Sequence, residues 1–153
     1  MAAPIEFGGE ELFDATPEQL FGLLTNLDAM AATIPDLVSS ERVDEHTLKC
    51  VVRPGFSFLR GTMKLAITLG ETTPPTQAAM NVTASGIAVA MDVVSQLNIA
   101  PEGAGARLTW SASVENRKGL ISAVSPTLIK AAADQVIRHA WTQVRKQLGE
   151  ETG

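Results

Sequence analysis

Residues 26–43 read NLDAMAATIPDLVSSERV, and the change of period inside them decides the fold. Just upstream, Leu20, Phe21, Leu23, Leu24 and Leu27 recur at helical spacing. The start of that helix is marked by Thr16 as N-cap, Pro17 at the first helical position and Glu18 beside the positive end of the dipole. A second short helix follows from Asp28 to Thr33. Pro35 ends it, because proline excludes the helical region for the residue before it and supplies no N–H. Beyond this corner the period drops to two. Leu48, Cys50 and Val52 alternate with Thr47, Lys49, Val51 and Arg53, which predicts a strand with one buried face.

The alternation continues downstream. Gly61, Met63, Leu65, Ile67 and Leu69 share one face, and after Pro74-Pro75 so do Ala78, Met80, Val82 and Ala84. Ile87, Val89, Met91, Val93, Leu97 and Ile99 form the next apolar set, interrupted by Ser95. Leu108, Trp110, Ala112 and Val114 form the last, after a hairpin turn at Gly103-Ala104-Gly105. Strands joined by short turns imply an antiparallel meander with one face inward.

The chain closes with a long helix. Ser125-Pro126 gives its cap and first turn, Gly149 its end, and Ile129, Ala133, Val136, Ile137, Ala140, Trp141, Val144 and Leu148 its apolar stripe. At about 1.5 Å per residue, residues 126–148 reach roughly 34 Å, enough to cross a sheet. The expectation is an α+β fold in one domain, 1–153. A curved antiparallel sheet of about seven strands carries two short helices after the first strand and one long C-terminal helix across its concave face.

Composition narrows the function. A 153-residue chain with 45% hydrophobic and 19% charged residues reads as an ordinary globule. Its net charge of -5 argues against nucleic acid, which calls for a basic stripe. With Cys50 alone no internal disulfide forms, the N-terminus lacks the pattern of a signal peptide, and no apolar run approaches a membrane span. Together these point to a cytoplasmic protein without a transmembrane segment.

Catalytic chemistry is hard to place. His46 sits beside a turn and His139 in a basic part of the last helix, neither with a nucleophile or carboxylate at motif spacing. Cys50 on an apolar strand face reads as a small buried hydrophobe. No spacing suggests a metal or cofactor site. Phe56 and Phe58 break the alternation: they form either an exposed contact surface, for a dimer or partner, or a bulge that turns inward.

The order of elements resembles the START-like, helix-grip superfamily that also holds polyketide cyclases and plant ligand-binding allergens. Within it, FDATPEQLFGLLTNLDAMAATIPD (13–36), GTMKLAITLGETTPP (61–75), ARLTWSASVE (106–115) and LIKAAADQVI (128–137) resemble the CoxG family of carbon monoxide dehydrogenase components. That family usually has Ile-Pro-Gly where this chain has Ile34-Pro35-Asp36, and more glycine near Gly86. The resemblance implies an accessory role beside a molybdenum hydroxylase-type enzyme, and a pocket between sheet and long helix.

The residues allow two readings of that space. Methionines and alanines either fill gaps and favour helix, or line an adaptable cavity; the resemblance favours the cavity. Its expected ligand-binding residues are Met63, Leu65, Met80, Val82, Met91 and Val93 on the strands. Ala133, Ile137 and Trp141 join them on the helix, Trp110 supplies a wall, and Met30 and Ile34 form the rim. With no tyrosine in the chain and few inward polar groups, such a pocket selects by shape and apolarity, for a lipid- or quinone-like guest. Three functions are thus in view: a non-enzymatic carrier, a polyketide cyclase or hydratase-like enzyme, and a partner-binding component without a ligand.

Overall fold

Seven strands pair into a single antiparallel sheet in the computed structural model, which describes residues 4–55 and 61–149. They are β1 (Ile5–Phe13), β2 (Leu37–Arg42), β3 (Thr47–Val52), β4 (Met63–Thr73), β5 (Gln77–Gly86), β6 (Val89–Glu102) and β7 (Gly105–Gly119). The order β1-β7-β6-β5-β4-β3-β2 makes β2 to β7 a meander, and β1 closes on β7 with Ile5 opposite Val114 and Phe13 opposite Ala106. Between β1 and β2 lie α1 (Pro17–Leu24) and α2 (Leu27–Ala31), and after β7 a 3-10 turn, Leu120–Ala123, leads into α3 (Pro126–Gln147). This is the expected helix-grip arrangement.

Local chemistry sets the element ends. Thr16 and Gln19 form a reciprocal capping box: the Thr16 hydroxyl accepts the Gln19 N–H at 3.2 Å, and the Gln19 side chain accepts the Thr16 N–H at 3.0 Å. Asn26 caps α2 through Ala29 N–H at 3.1 Å, so that helix begins at Leu27, one residue earlier than its spacing predicts, and ends two residues earlier, at Ala31. Ser125 caps α3 by accepting the Leu128 N–H at 3.2 Å.

The Ile34-Pro35 corner turns through Asp36, whose φ of 59° lies in the left-handed region. Its carbonyl accepts the Arg53 N–H at 3.0 Å, which ties the corner to the end of β3. Aspartate tolerates this backbone better than most side chains, and glycine adopts it without strain. Asp36→Gly is therefore expected to hold or raise stability by roughly 0.5 kcal/mol, and the β-branched Asp36→Val to lower it by about 1–2 kcal/mol. Urea midpoints would read both; a Val variant as stable as the parent would contradict the assignment of strain.

Two apolar residues depart from the expected faces. Ile87 is 65% exposed, because β5 ends at Gly86 and β6 begins at Val89, leaving Ile87-Ala88 as the turn between them. Val136, 37% exposed, lies at the edge of the α3 stripe, whose fully buried members are Ile129 and Val144. Phe56 and Phe58 lie outside the described residues.

Candidate ligand-binding site

Inward-facing residues of the sheet gather into three packed clusters. At one end Phe13, Leu20, Leu24, Leu97, Leu108 and Val144 close together. At the other, Ile5, Val52, Met63, Val89, Val114, Ile121 and Ile129 do so. A third group, Leu27, Leu48, Cys50, Ile67 and Met80, packs α2 onto β3, β4 and β5. Helix α3 thus seats Val144 in the first cluster and Ile129 in the second.

Between these seats burial is less complete. On the helix, Ala133, Ile137 and Ala140 are only partly buried, and so are Leu65, Val82, Met91, Val93 and Ala112 on the sheet's inward face. Register places these sheet residues together: Val93 stands opposite Val82 on one side and Val114 on the other, and Ala84 joins Leu65 to Met91. A well-packed interior leaves such positions without solvent access. Partly accessible apolar residues thus stand on both the sheet's inward face and the inner stripe of α3.

The expected site residues divide accordingly. Leu65, Val82, Met91, Val93, Ala133 and Ile137 are partly buried in this middle zone, Trp110 and Trp141 are partly buried against the first cluster, and Met30 and Ile34 join two clusters each from the α2 side. Met63 and Met80, at 3% and 6% exposure, are packed within clusters. Sequence reasoning missed Phe7, Leu37 and Ala112, all partly buried neighbours of the same zone. The first was legible in IEFGGEELF, where Ile5, Phe7 and Phe13 fall on one parity.

Four rings pack in a row from β1 to α3. Phe7 meets Trp110 edge-on at 6.0 Å, Trp110 meets Trp141 at 6.2 Å, and Trp141 meets Phe13 edge-on at 6.1 Å. Arg145 holds α3 over this row: its guanidinium lies 4.7 Å from the Phe13 ring centroid and donates to Glu11 and to the Leu12 carbonyl, each at 3.0 Å. Gln147 adds a hydrogen bond to the Ala29 carbonyl at 3.1 Å. The C-terminal half of α3 is therefore clamped to both β1 and α2.

A concavity of about 650 Å³ lies over β1, β5, β6 and β7, where Gly8, Ala79, Ser111 and Ser113 line it together with Phe7 and Ala112. It is an open trough left by small side chains.

His46 and His139 are exposed, and Asp44 accepts the His46 N–H at 2.8 Å, which holds its carboxyl below the ordinary range. Among the described residues no group of three or more His, Cys, Asp or Glu could hold a metal ion. Cys50 is 3% exposed, and burial pushes its thiol pKa up. A neutral thiol in the fold that ionises more readily once unfolded contributes fully below the ordinary thiol range and progressively less as pH rises above it. Native protein at pH 8 is expected to resist a thiol-specific disulfide reagent and to react fully in denaturant; equal rates would contradict its burial.

Residues 9–149 match the family model for CoxG, a carbon monoxide dehydrogenase component. The chain belongs to that family. Its fold is shared by a conserved protein from Geobacillus kaustophilus, with TM-score 0.86, 18% identity, and 94% of this chain and 95% of that one covered. A START superfamily protein from Mycobacterium smegmatis aligns with TM-score 0.69 at 11% identity over 93% and 95% of the two chains. The protein Ara h 8.0201 aligns with TM-score 0.72 at 13% identity over 95% and 97%. No curated protein sequence matches. The Ile-Pro-Gly pattern usual in the CoxG family now has a physical reason, since this chain's Asp36 occupies a left-handed position that glycine fits. No helix among the described residues is long and apolar enough to cross a membrane.

Proposed function

We propose that this CoxG family member is a non-enzymatic carrier of an apolar, lipid- or quinone-like small molecule, working in the cytoplasm as an accessory to a molybdenum carbon monoxide dehydrogenase-type oxidoreductase. The observation that carries the proposal is the partly accessible apolar surface on both sides of the space between the sheet and α3. Leaving that surface wet forfeits roughly 25 cal/mol per Å², which a guest of matching shape recovers. Ile87 and Leu120, 65% and 59% exposed, fit a handover face for the partner enzyme. They are brought together by the Leu120 N–H donating to the Ala88 carbonyl at 2.8 Å.

The cyclase- or hydratase-like alternative would rest on Glu11, a carboxylate on the inward parity of β1. Arg145 engages it at 3.0 Å, so its charge serves to hold α3. Native mass spectrometry of protein purified from cells, with thermal-shift screening of isoprenoid quinones and fatty acids, tests the carrier reading. A co-purifying apolar species or a rise in Tm is expected. Protein that arrives empty and shifts with no member of either series would end it.

A further inference from the structure

The two ends of the sheet differ in shape and in charge. Where β5 turns into β6, Ile87 projects from a two-residue hairpin tip and is 65% exposed. Its Cδ1 lies 3.0 Å from the place a Cβ of Gly61 would take, so the side chain rests on bare backbone at the surface. Leu120, hydrogen-bonded to the same turn, is 59% exposed. Exposed cations flank this knob: Lys118 stands opposite Ala90, and Lys64 opposite Ser85, in the ladders that run into the turn. From Asn116 to Ala133 the chain carries Arg117, Lys118 and Lys130 and no carboxylate. The nearest carboxylates on β6 and β7, Asp92 and Glu115, stand opposite one another further along the ladder.

The far end is the counterpart. Strand β6 runs from Val89 beside the turn to Glu102, which lines a concavity of about 400 Å³ together with Leu12, Phe13, Asp14, Ala104 and Gly105. Leu12 is 57% exposed. From Glu10 to Glu18 the chain carries four carboxylates and no cation, and Glu102 adds a fifth. Arg107 and Arg145 engage three of the five, so negative charge remains in excess around the opening. One end thus offers a convex aliphatic tip among cations, and the other a hollowed surface among carboxylates.

We propose that copies of this chain associate head to tail, the Ile87 tip of one seated in the Leu12–Gly105 concavity of the next, with Lys118 and Lys130 of the first facing the Glu10–Glu18 carboxylates of the second. Such a contact uses two different surfaces, so each added copy leaves one tip and one concavity free, and association continues until a ring closes or the chain stops growing. The net charge of -5 on every copy opposes growth and keeps the contact transient. Ile87 also belongs to the proposed handover face, so a docked copy and the partner enzyme compete for it. The association itself does not depend on the carrier reading.

Sedimentation velocity tests the proposal over roughly 10 µM to 1 mM, the range of a small transient interface. The parent protein is expected to shift from monomer to larger species as concentration rises. Ile87→Asp and Leu12→Lys alter exposed side chains and should keep the parent's urea midpoint; serine at the same position replaces either variant whose midpoint falls. Each variant alone is expected to stay monomeric. Mixed in equal amounts, they should form a one-to-one pair and nothing larger, because the Leu12→Lys chain keeps its tip and the Ile87→Asp chain keeps its concavity. Lys118→Glu with Lys130→Glu should weaken parent association at least tenfold, roughly the cost of setting like charges together. A parent protein that remains monomeric throughout overturns the proposal. So do variants that associate as the parent does, and so does a mixture that stays monomeric, which would place the contact on some other surface.

Discussion

Gly119→Ala is expected to remove about 3 kcal/mol or more of stability, a large loss for a single added methyl. Gly119 has φ 73° and ψ -144°, a backbone region occupied almost solely by glycine. Space compounds the strain: an added Cβ would fall 2.0 Å from the Ala88 carbonyl oxygen and 2.8 Å from its carbon. That same oxygen accepts the Leu120 N–H at 2.8 Å, so it cannot withdraw without breaking a hydrogen bond. Relief requires moving the turn at Leu120–Ala123, and with it Ile121, 1% exposed, and the first seat of α3 at Ile129. Gly103→Ala is the internal control. Gly103 also has a positive φ, 59°, but meets nothing within 4 Å, so only the backbone term of about 1 kcal/mol applies. Urea denaturation reads both, and equal midpoints for the two variants would show that the junction can be rebuilt another way.

The contrast between these glycines marks what the sequence could convey. Strand faces were legible because burial imposes a period of two that any alternating apolar run displays, from Leu48-Cys50-Val52 to Leu108-Trp110-Ala112-Val114. Caps at Thr16 and Ser125 were legible because their chemistry is local. Ile87 misled because turn and strand residues continue the same alternation when a hairpin is only two residues long. Among the expected site residues, composition suggested Trp110, Trp141, Met91 and Ala133 alike, yet could not separate packed from accessible positions. Met63 and Met91 look alike in sequence and differ in how much their neighbours cover them. Nor could it reveal Gly9 beneath an indole or Arg145 reaching Glu11, because both contacts join the ends of the chain across about a hundred residues or more.

Placing phenylalanine at Ala133 should separate a hollow from a core, with opposite signs. Ala133 lies on the inner stripe of α3 between Ile129, buried in one cluster, and Ile137, partly buried. In a filled interior the added ring would force off-rotamer side chains and backbone shifts at a cost of about 1–3 kcal/mol. In a hollow it meets apolar surface that was wet, and burying a ring of this size is worth about 1.5–3 kcal/mol, less roughly 0.5 kcal/mol of helix propensity. Ala133→Phe is therefore expected to unfold at the same or higher urea concentration than the parent. On the carrier reading the same ring takes the cargo's place, and binding of an isoprenoid quinone or fatty acid should fall at least tenfold, since about 1.4 kcal/mol of lost contact suffices. Val144→Phe supplies the opposite case: Val144 is 1% exposed and surrounded by Leu20, Leu24 and Leu108, so the larger ring must overpack and destabilise. Stability retained and ligand lost is the signature of a space kept open for a guest. If Ala133→Phe instead loses stability as Val144→Phe does, the zone between sheet and helix is filled, and the carrier reading falls with it.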